Sequence, residues 1–201
     1  LQGILENEPY NYTLKCDTLN AISFGAPQRR ERFIMVGLKK DLNIEYTYPE
    51  ATFTEGSYRT VRDAISDIQD IEPGKEVTDS YFTLPPHPEA QGLEKELRGR
   101  CLHNHITTAT RETALSRFKA LKAGENFHDL SPELKTTYSN AERTQNTIYM
   151  RLKYDEPSGT VVNVRKSMWI HPELDRAISI REAARLQTFP DSFIFEGTKD
   201  S

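Results

Sequence analysis

Apolar and polar residues alternate near the start of the chain. Tyr10, Tyr12, Leu14 and Cys16 fall on one side, and Asn11, Thr13 and Lys15 on the other. A period of two predicts a half-buried strand. Residues 33–38, Phe-Ile-Met-Val-Gly-Leu, form an unbroken apolar run. Such a run predicts a central strand of an α/β sheet, buried on both faces. The turn between the two carries Gly25 and Pro27. Thr60 then reads as a helix N-cap, followed by Val61, Ala64, Ile65 and Ile68 on one helical face. Residues 71–100 contain Pro73-Gly74 and Pro85-Pro86-His87-Pro88 and read as loop or linker. A helix is predicted over 111–123, with Ala114, Leu115, Phe118 and Leu121 inward and Gly124 as its C-cap. Ser131-Pro132 opens a short helix. Alternation returns at 147–154, where Ile148, Met150, Leu152 and Tyr154 share a face, and the β-branched tract from Thr160 to Val164 predicts another strand. The clearest signal comes last. Ser179-Ile180-Arg181-Glu182 is a capping box for a helix running to about Thr188, which Pro190 ends. There is no internal repeat.

Composition narrows the class. The 201 residues are 36% hydrophobic and 28% charged, which describes folded protein: one medium domain, or a small domain with a piece of another. No apolar run approaches the ~18 residues of a membrane span. The opening Leu1-Gln2-Gly3-Ile4-Leu5 has neither a starting Met nor the basic flank of a signal peptide. Two cysteines make no disulfide framework and no zinc site, so a reducing, cytoplasmic setting is expected. Net charge is −4, which argues against a uniformly basic nucleic-acid binder. The charge is uneven, however. Residues 41–100 carry 13 acidic and 6 basic side chains, whereas residues 21–40 hold Arg29, Arg30, Arg32, Lys39 and Lys40 against Glu31 alone.

Little in the sequence is an active site on chemical grounds. There is no glycine-rich nucleotide loop and no evident Ser/His/Asp set. His103 and His105 stand two apart without a partner cluster and read as surface or loop histidines rather than metal ligands. Cys16, on the apolar side of a predicted strand, reads as a core thiol rather than a nucleophile.

Two segments are more specific. The first is Gly25-Ala26-Pro27-Gln28-Arg29-Arg30-Glu31-Arg32-Phe33, running into the strand at 33–38. The second runs from Arg176-Ala177-Ile178-Ser179 through Arg185-Leu186-Gln187-Thr188-Phe189-Pro190-Asp191. They resemble the eighth and ninth sequence blocks of the DNA (cytosine-5) methyltransferase family, in the right order and at a fitting separation. Further stretches agree. Tyr12 to Ala21 resembles the lead-in to the eighth block, and Thr60 to Asp67 the helix after its strand. Asp155 to Val161 resembles the Pro-Ser-x-Thr-apolar segment of the target-recognition region. About half the chain carries such matches; residues from about 75 to 145 fall where the family varies with target sequence.

The resemblance assigns roles that physical reasoning can accommodate. An enzyme acting on a base inside a duplex must flip it out, clamp the backbone and offer donors to the base. Arg30 and Arg32, two apart on extended chain, would share one face. From the bare pattern they would be a surface cluster with Glu31. The resemblance implies that Arg32 binds the flipped cytosine and its phosphate, that Arg30 supports the phosphate contact, and that Gln28 shapes the same turn at the DNA. Arg181, Glu182 and Arg185 would form an internal ion-pair network propping up the recognition region, with Phe189-Pro190 packed in the core behind the helix. Sequence readout would fall to Thr160, Val161, Asn163, Arg165 and Lys166, with Asn140, Arg143, Gln145 and Asn146 as further polar candidates.

The departures count equally. The family's Phe-x-Gly-x-Gly loop for S-adenosyl-L-methionine is missing. Neither Cys16 nor Cys101 follows a proline, as the nucleophile in Pro-Cys-Gln would. Glu6-Asn7-Glu8 is not the Glu-Asn-Val block, and no Gly-Asn block follows Gly197. The expectation is therefore a C-terminal portion of a bacterial, cytoplasmic, nucleoid-associated methyltransferase of a restriction–modification system, inactive alone. Its partners would be double-stranded DNA and an N-terminal catalytic half, with no membrane. The expected fold is mixed α/β. Residues 1–70 would be the tail of a Rossmann-like catalytic domain, with a sheet edge near 10–40 open to self-association. Residues 75–201 would be a small α+β target-recognition domain. Two other classes fit the same residues: a separate DNA-binding subunit of a split methyltransferase, and a non-enzymatic DNA-binding module.

Overall fold

The computed structural model describes residues 2–68, 82–84 and 87–197, with backbone alone for Phe82, Thr83, Val164 and Arg165. Pro73-Gly74 and Pro85-Pro86 lie outside it. A short helix α1 (Gln2–Leu5) precedes an antiparallel ribbon of β1 (Tyr12–Asn20) and β2 (Glu31–Lys39), in register from Tyr12↔Lys39 to Asn20↔Glu31. The two predicted strands thus exist, but β2 is not the central strand of an α/β sheet. Among the described residues it pairs with β1 alone, and Phe33 and Ile34 are 64% and 38% exposed. Cys16 is likewise exposed rather than a core thiol. A two-stranded ribbon has too little area to bury either of its faces by itself.

Helix α2 (Val61–Ile65) forms where the capping signal lies, with the Thr60 amide donating to the Asp63 carboxylate at 2.7 Å. Its first amides leave the helix for tertiary acceptors: Val61 donates to the Glu156 carbonyl and Arg62 to that of Tyr154, both at 3.0 Å. Val61, Ala64, Ile65 and Ile68 are buried together with Leu152, Val161, Trp169, Ile178, Ala183 and Leu186. Helix α3 (Gly92–Leu97) adds Leu93 and Leu97, four apart, to this core. It lies within the stretch read as loop; the prolines around it masked a single helical turn. A small ribbon pairs β3 (Phe82–Thr83) with β4 (Cys101–Leu102).

A second core gathers Ala114, Phe118 and Leu121 with Phe127, Leu130, Tyr149 and Ile170. Helix α4 (Glu112–Ala120) supplies the first of these, and Leu115 is only half-buried. The helix stops at a Leu121 cap. Gly124, expected to cap it, lies beyond in a left-handed turn and donates to the Arg151 carbonyl at 2.8 Å. Helix α5 (Pro132–Lys135) follows Ser131 as predicted.

Residues 147–154 run extended but make one isolated bridge, Arg151↔Ile170, instead of a ladder. The tract from Thr160 to Val164 is no strand: α6 (Val164–Ser167) begins inside it. Asn163 causes the change. Its side-chain oxygen accepts from the Lys166 amide at 3.0 Å, the local bond that starts a helix. Helix α7 (Ile180–Arg185) has the expected capping box, with the Glu182 amide donating to the Ser179 hydroxyl at 3.0 Å and the Ser179 amide to the Glu182 carboxylate at 2.7 Å. It ends before Thr188, which adopts φ +64°. Pro190 is exposed and Phe189 half-buried. Phe189 packs against Phe193 and Phe195 at 4.9 and 5.2 Å between ring centres, not in the core behind the helix. No helix among the described residues is long and apolar enough to cross a membrane.

Candidate nucleic-acid interface

The turn leading into β2 is built from inside the chain. Gly25 sits at φ +91°, and a Cβ there would lie 2.8 Å from the Phe53 ring. Glycine alone meets both demands. The Asn20 side chain accepts from the Arg30 amide at 2.9 Å and so closes the base of the turn.

Residues 27–30 then lie alongside residues 158–161, pairing in parallel at Gln28↔Ser158. Ser158 donates its amide to the Pro27 carbonyl at 2.9 Å, and Arg29 donates its amide to the Ser158 carbonyl at 2.8 Å. The Thr160 hydroxyl donates to the Arg29 carbonyl at 2.7 Å. Arg30 Nη1 donates to the Val161 carbonyl at 3.3 Å. Gln28 is 1% exposed and uses both ends of its amide: Oε1 accepts from the Val161 amide at 2.8 Å, and Nε2 donates to the Leu186 carbonyl at 3.3 Å. Two segments some 130 residues apart, each singled out by its sequence, form one ledge, and Gln28 ties that ledge to the end of α7.

The side chains on this ledge divide. Gln28, Ser158 and Val161 are buried. Gln28 therefore faces backbone rather than DNA, contrary to the expectation for it: a side chain closed off at both polar ends has nothing left to offer a phosphate. Arg30 is half-buried, whereas Arg29 and Arg32 are exposed. Arg32 donates to the Glu31 carbonyl at 2.6 Å, and Glu31 forms no ion pair with these arginines among the described residues. Arg30 and Arg32 thus differ in employment, one holding the Val161 loop and the other reaching solvent. Val162 is 83% exposed, and Asn163 and Lys166 are exposed beside it. Arg165 lies in α6, its side chain outside the described residues. Asn140, Arg143, Gln145 and Asn146 lie in or around a 3-10 turn, Ala141–Arg143, and none of the hydrogen bonds described above joins them to the ledge.

Behind the ledge, Arg181, Glu182 and Arg185 are completely buried. They pair outward, not with one another as expected, because α7 is short and its neighbours supply nearer acceptors and donors. Glu182 takes a bidentate pair from Arg176 at 2.6 and 2.7 Å. Arg185 grips Asp191 at 2.6 and 2.8 Å and Asp67 at 2.5 Å. Arg181 donates to the carbonyls of His103, Pro190 and Phe193 at 2.6–2.9 Å. Burial works against the charged form of Glu182, but the field and hydrogen bonds of Arg176 outweigh it and hold the carboxyl at about 2. His171, against this cluster, is pushed down to about 4, chiefly by burial. Its Nδ1 accepts from the amides of Glu173 and Leu174 at 3.2 and 3.1 Å. His105 is also buried rather than a surface or loop residue, 2.8 Å from the Ser179 hydroxyl. The sequence reading gave no role to Arg176, Asp191, Asp67 or Ser158. The first two stood within the quoted second segment, where charge on an otherwise apolar stretch was the available signal.

The sequence contains no two glycines spaced two apart, and both described sheets are antiparallel pairs. The residues present therefore do not form the glycine-rich strand-to-helix turn expected to hold S-adenosyl-L-methionine.

A profile of C-5 cytosine-specific DNA methylases matches residues 2–201. The type II methyltransferase M.DdeI of Desulfomicrobium norvegicum is 33% identical over 192 residues, covering 90% of this chain and 45% of the relative. M1.HphI of Haemophilus parahaemolyticus, also a type II methyltransferase, is 32% identical over 192 residues, covering 96% of this chain and 43% of the relative. A solved structure described as a DNA modification methyltransferase encoded within an E. coli prophage superposes with a TM-score of 0.70 at 24% identity, over 94% of this chain and 53% of that one. The chain thus spans less than half the length of these curated relatives.

Proposed function

The chain belongs to the C-5 cytosine-specific DNA methylase family, and from that membership we propose that it is the DNA-recognising part of a cytosine-5 methyltransferase. The whole enzyme would transfer a methyl group from S-adenosyl-L-methionine to carbon 5 of a cytosine everted from a specific site in double-stranded DNA. The observation that carries this reading is the ledge joining residues 27–30 to residues 158–161. It holds cationic side chains, Arg29 and Arg32, beside the exposed Val162, Asn163 and Lys166 on one continuous backbone frame. Phosphate contacts fix register and base contacts specify, so a binder needs both kinds of group in fixed relation.

In this reading Arg32 donates to the everted cytosine and the adjacent phosphate. Arg30 anchors the Val161 carbonyl and supports the phosphate contact with its remaining donors. Thr160 and Val161 frame the reader, and Asn163, Arg165 and Lys166 reach base edges or phosphates. Arg181, Glu182 and Arg185 hold the frame from behind. Neither cysteine has the sequence setting of the nucleophile, and the residues present do not fit the cofactor, so both belong to an N-terminal catalytic part and this chain alone is inactive. Residues 1–70 are then the tail of the catalytic domain and residues 75–201 the target-recognition domain. The setting is a restriction–modification system in the bacterial cytoplasm, at the nucleoid. The unpaired edges and apolar residues of the β1–β2 ribbon would drive the isolated chain to self-associate.

Bisulfite mapping of DNA modified by the full-length enzyme, with and without Arg32→Ala, tests the reading. The expected result is methylcytosine at one defined sequence, lost in the variant. An intact enzyme that modifies no cytosine would overturn it.

A further inference from the structure

Gln28 joins three parts of the chain through one side chain. Its backbone belongs to the arginine turn, its carbonyl oxygen accepts from the Val161 amide, and its amide nitrogen reaches the Leu186 carbonyl behind α7. The side chain is closed to solvent. Val161 is held at both of its backbone groups, the amide by Gln28 and the carbonyl by Arg30. The next residue, Val162, is the most exposed of the large apolar side chains described.

We propose that Gln28 is a positioning residue for sequence discrimination, which sets the recognition loop at Val161 and Val162 in fixed register with the arginine turn and α7. The inference rests on the reading of this ledge as the DNA-recognising surface and deepens it. Base-edge contacts discriminate only if donors and apolar groups stand within a few tenths of an ångström of their places. A loop free to shift pays its ordering entropy equally on right and wrong sequences and loses the difference between them. Phosphate contacts by exposed arginines are far less sensitive to that shift. The amide is needed in full: Gln28 must accept at one end and donate at the other. A glutamate would keep the first contact and set a carboxylate oxygen against the Leu186 carbonyl. A methionine would fill the space and leave a buried amide without its acceptor.

The test uses the full-length methyltransferase with Gln28→Met and Gln28→Glu. Methylation is measured on DNA carrying the mapped site and on DNAs altered at one base pair, at a temperature where all the proteins are folded. The expected result is a fall of about tenfold or more in the ratio of cognate to altered-site kcat/KM for both variants, with KM for the cognate DNA changed far less. A purely structural role would instead lower the active fraction and leave that ratio unchanged, and this outcome would overturn the inference while the recognition reading stands. A wild-type enzyme that methylates no cytosine removes the reading and the inference together.

Discussion

Arg176 clasps Glu182 at two points, Nη1 to Oε2 at 2.7 Å and Nη2 to Oε1 at 2.6 Å, with both side chains out of water. The same carboxylate receives the Ser179 amide at 2.7 Å. One buried group therefore both starts α7 and neutralises a buried cation.

That double duty sets the cost of losing it. Glu182→Ala takes the carboxylate from a guanidinium that cannot shed its proton, and it removes half of the capping box. Breaking a buried pair from one side costs about 3–5 kcal/mol. Urea unfolding should show a loss in that range. A loss below about 1 kcal/mol would mean that water reaches the cluster.

Acid should loosen the same region, with a definite sign. His171 is depressed from 6.5 to about 4, so the fold favours its neutral form. The stability this brings is complete above pH 6.5 and is lost as pH falls through about 4. Glu182, depressed from 4.5 to about 2, adds a second loss between those values. Urea midpoints measured from pH 7 down to pH 4 should decline, with the His171 share reaching at most about 3 kcal/mol. His171→Gln should flatten the curve in that window; an unaltered slope would place the proton uptake elsewhere.

Arg32 is exposed and bonded only to its neighbour's carbonyl. Arg32→Ala should change the stability of this chain by less than about 0.5 kcal/mol. It should weaken DNA binding across sequences and reduce the slope of log affinity against log salt by about 1. Titrations at several salt concentrations would reveal it, and an unchanged slope would remove Arg32 from the phosphate contacts.

Gly25→Ala meets two obstacles at once, a left-handed backbone and the Phe53 ring at 2.8 Å from the added carbon. The backbone term alone is roughly 1–2 kcal/mol. Thermal unfolding of Gly25→Ala beside Gly56→Ala separates the two terms. Gly56 shares φ +91° but has open space around it, so its variant should be the less damaged.

Helices α2 and α7 were legible because their signals are local. A capping residue and an apolar face fit within one turn or two, and nothing distant is needed to read Thr60 or Ser179. The ribbon was half legible. A period of two reports extended backbone, but it says nothing about how many strands pair or what covers them, so Cys16 and Phe33 were assigned to a core that the described residues do not build. Asn163 defeated a β-branched run with one side-chain bond. The site was legible as motifs but not as geometry. Arginines 30 and 32 look alike in sequence, and only the Val161 carbonyl, 131 positions from Arg30, tells them apart. Gln28 looked like a polar residue for DNA because its partners, Val161 and Leu186, are equally remote.

The ledge grips the recognition loop almost wholly by main-chain atoms: the amide and carbonyl of Ser158 and of Val161. Side chains at 161 to 163 can then be exchanged without slackening the grip, and only a proline at 161, which has no amide hydrogen, is barred outright. The same frame could thus carry many different readers, and a lineage could change the sequence it recognises while the arginine turn beneath stays as it is.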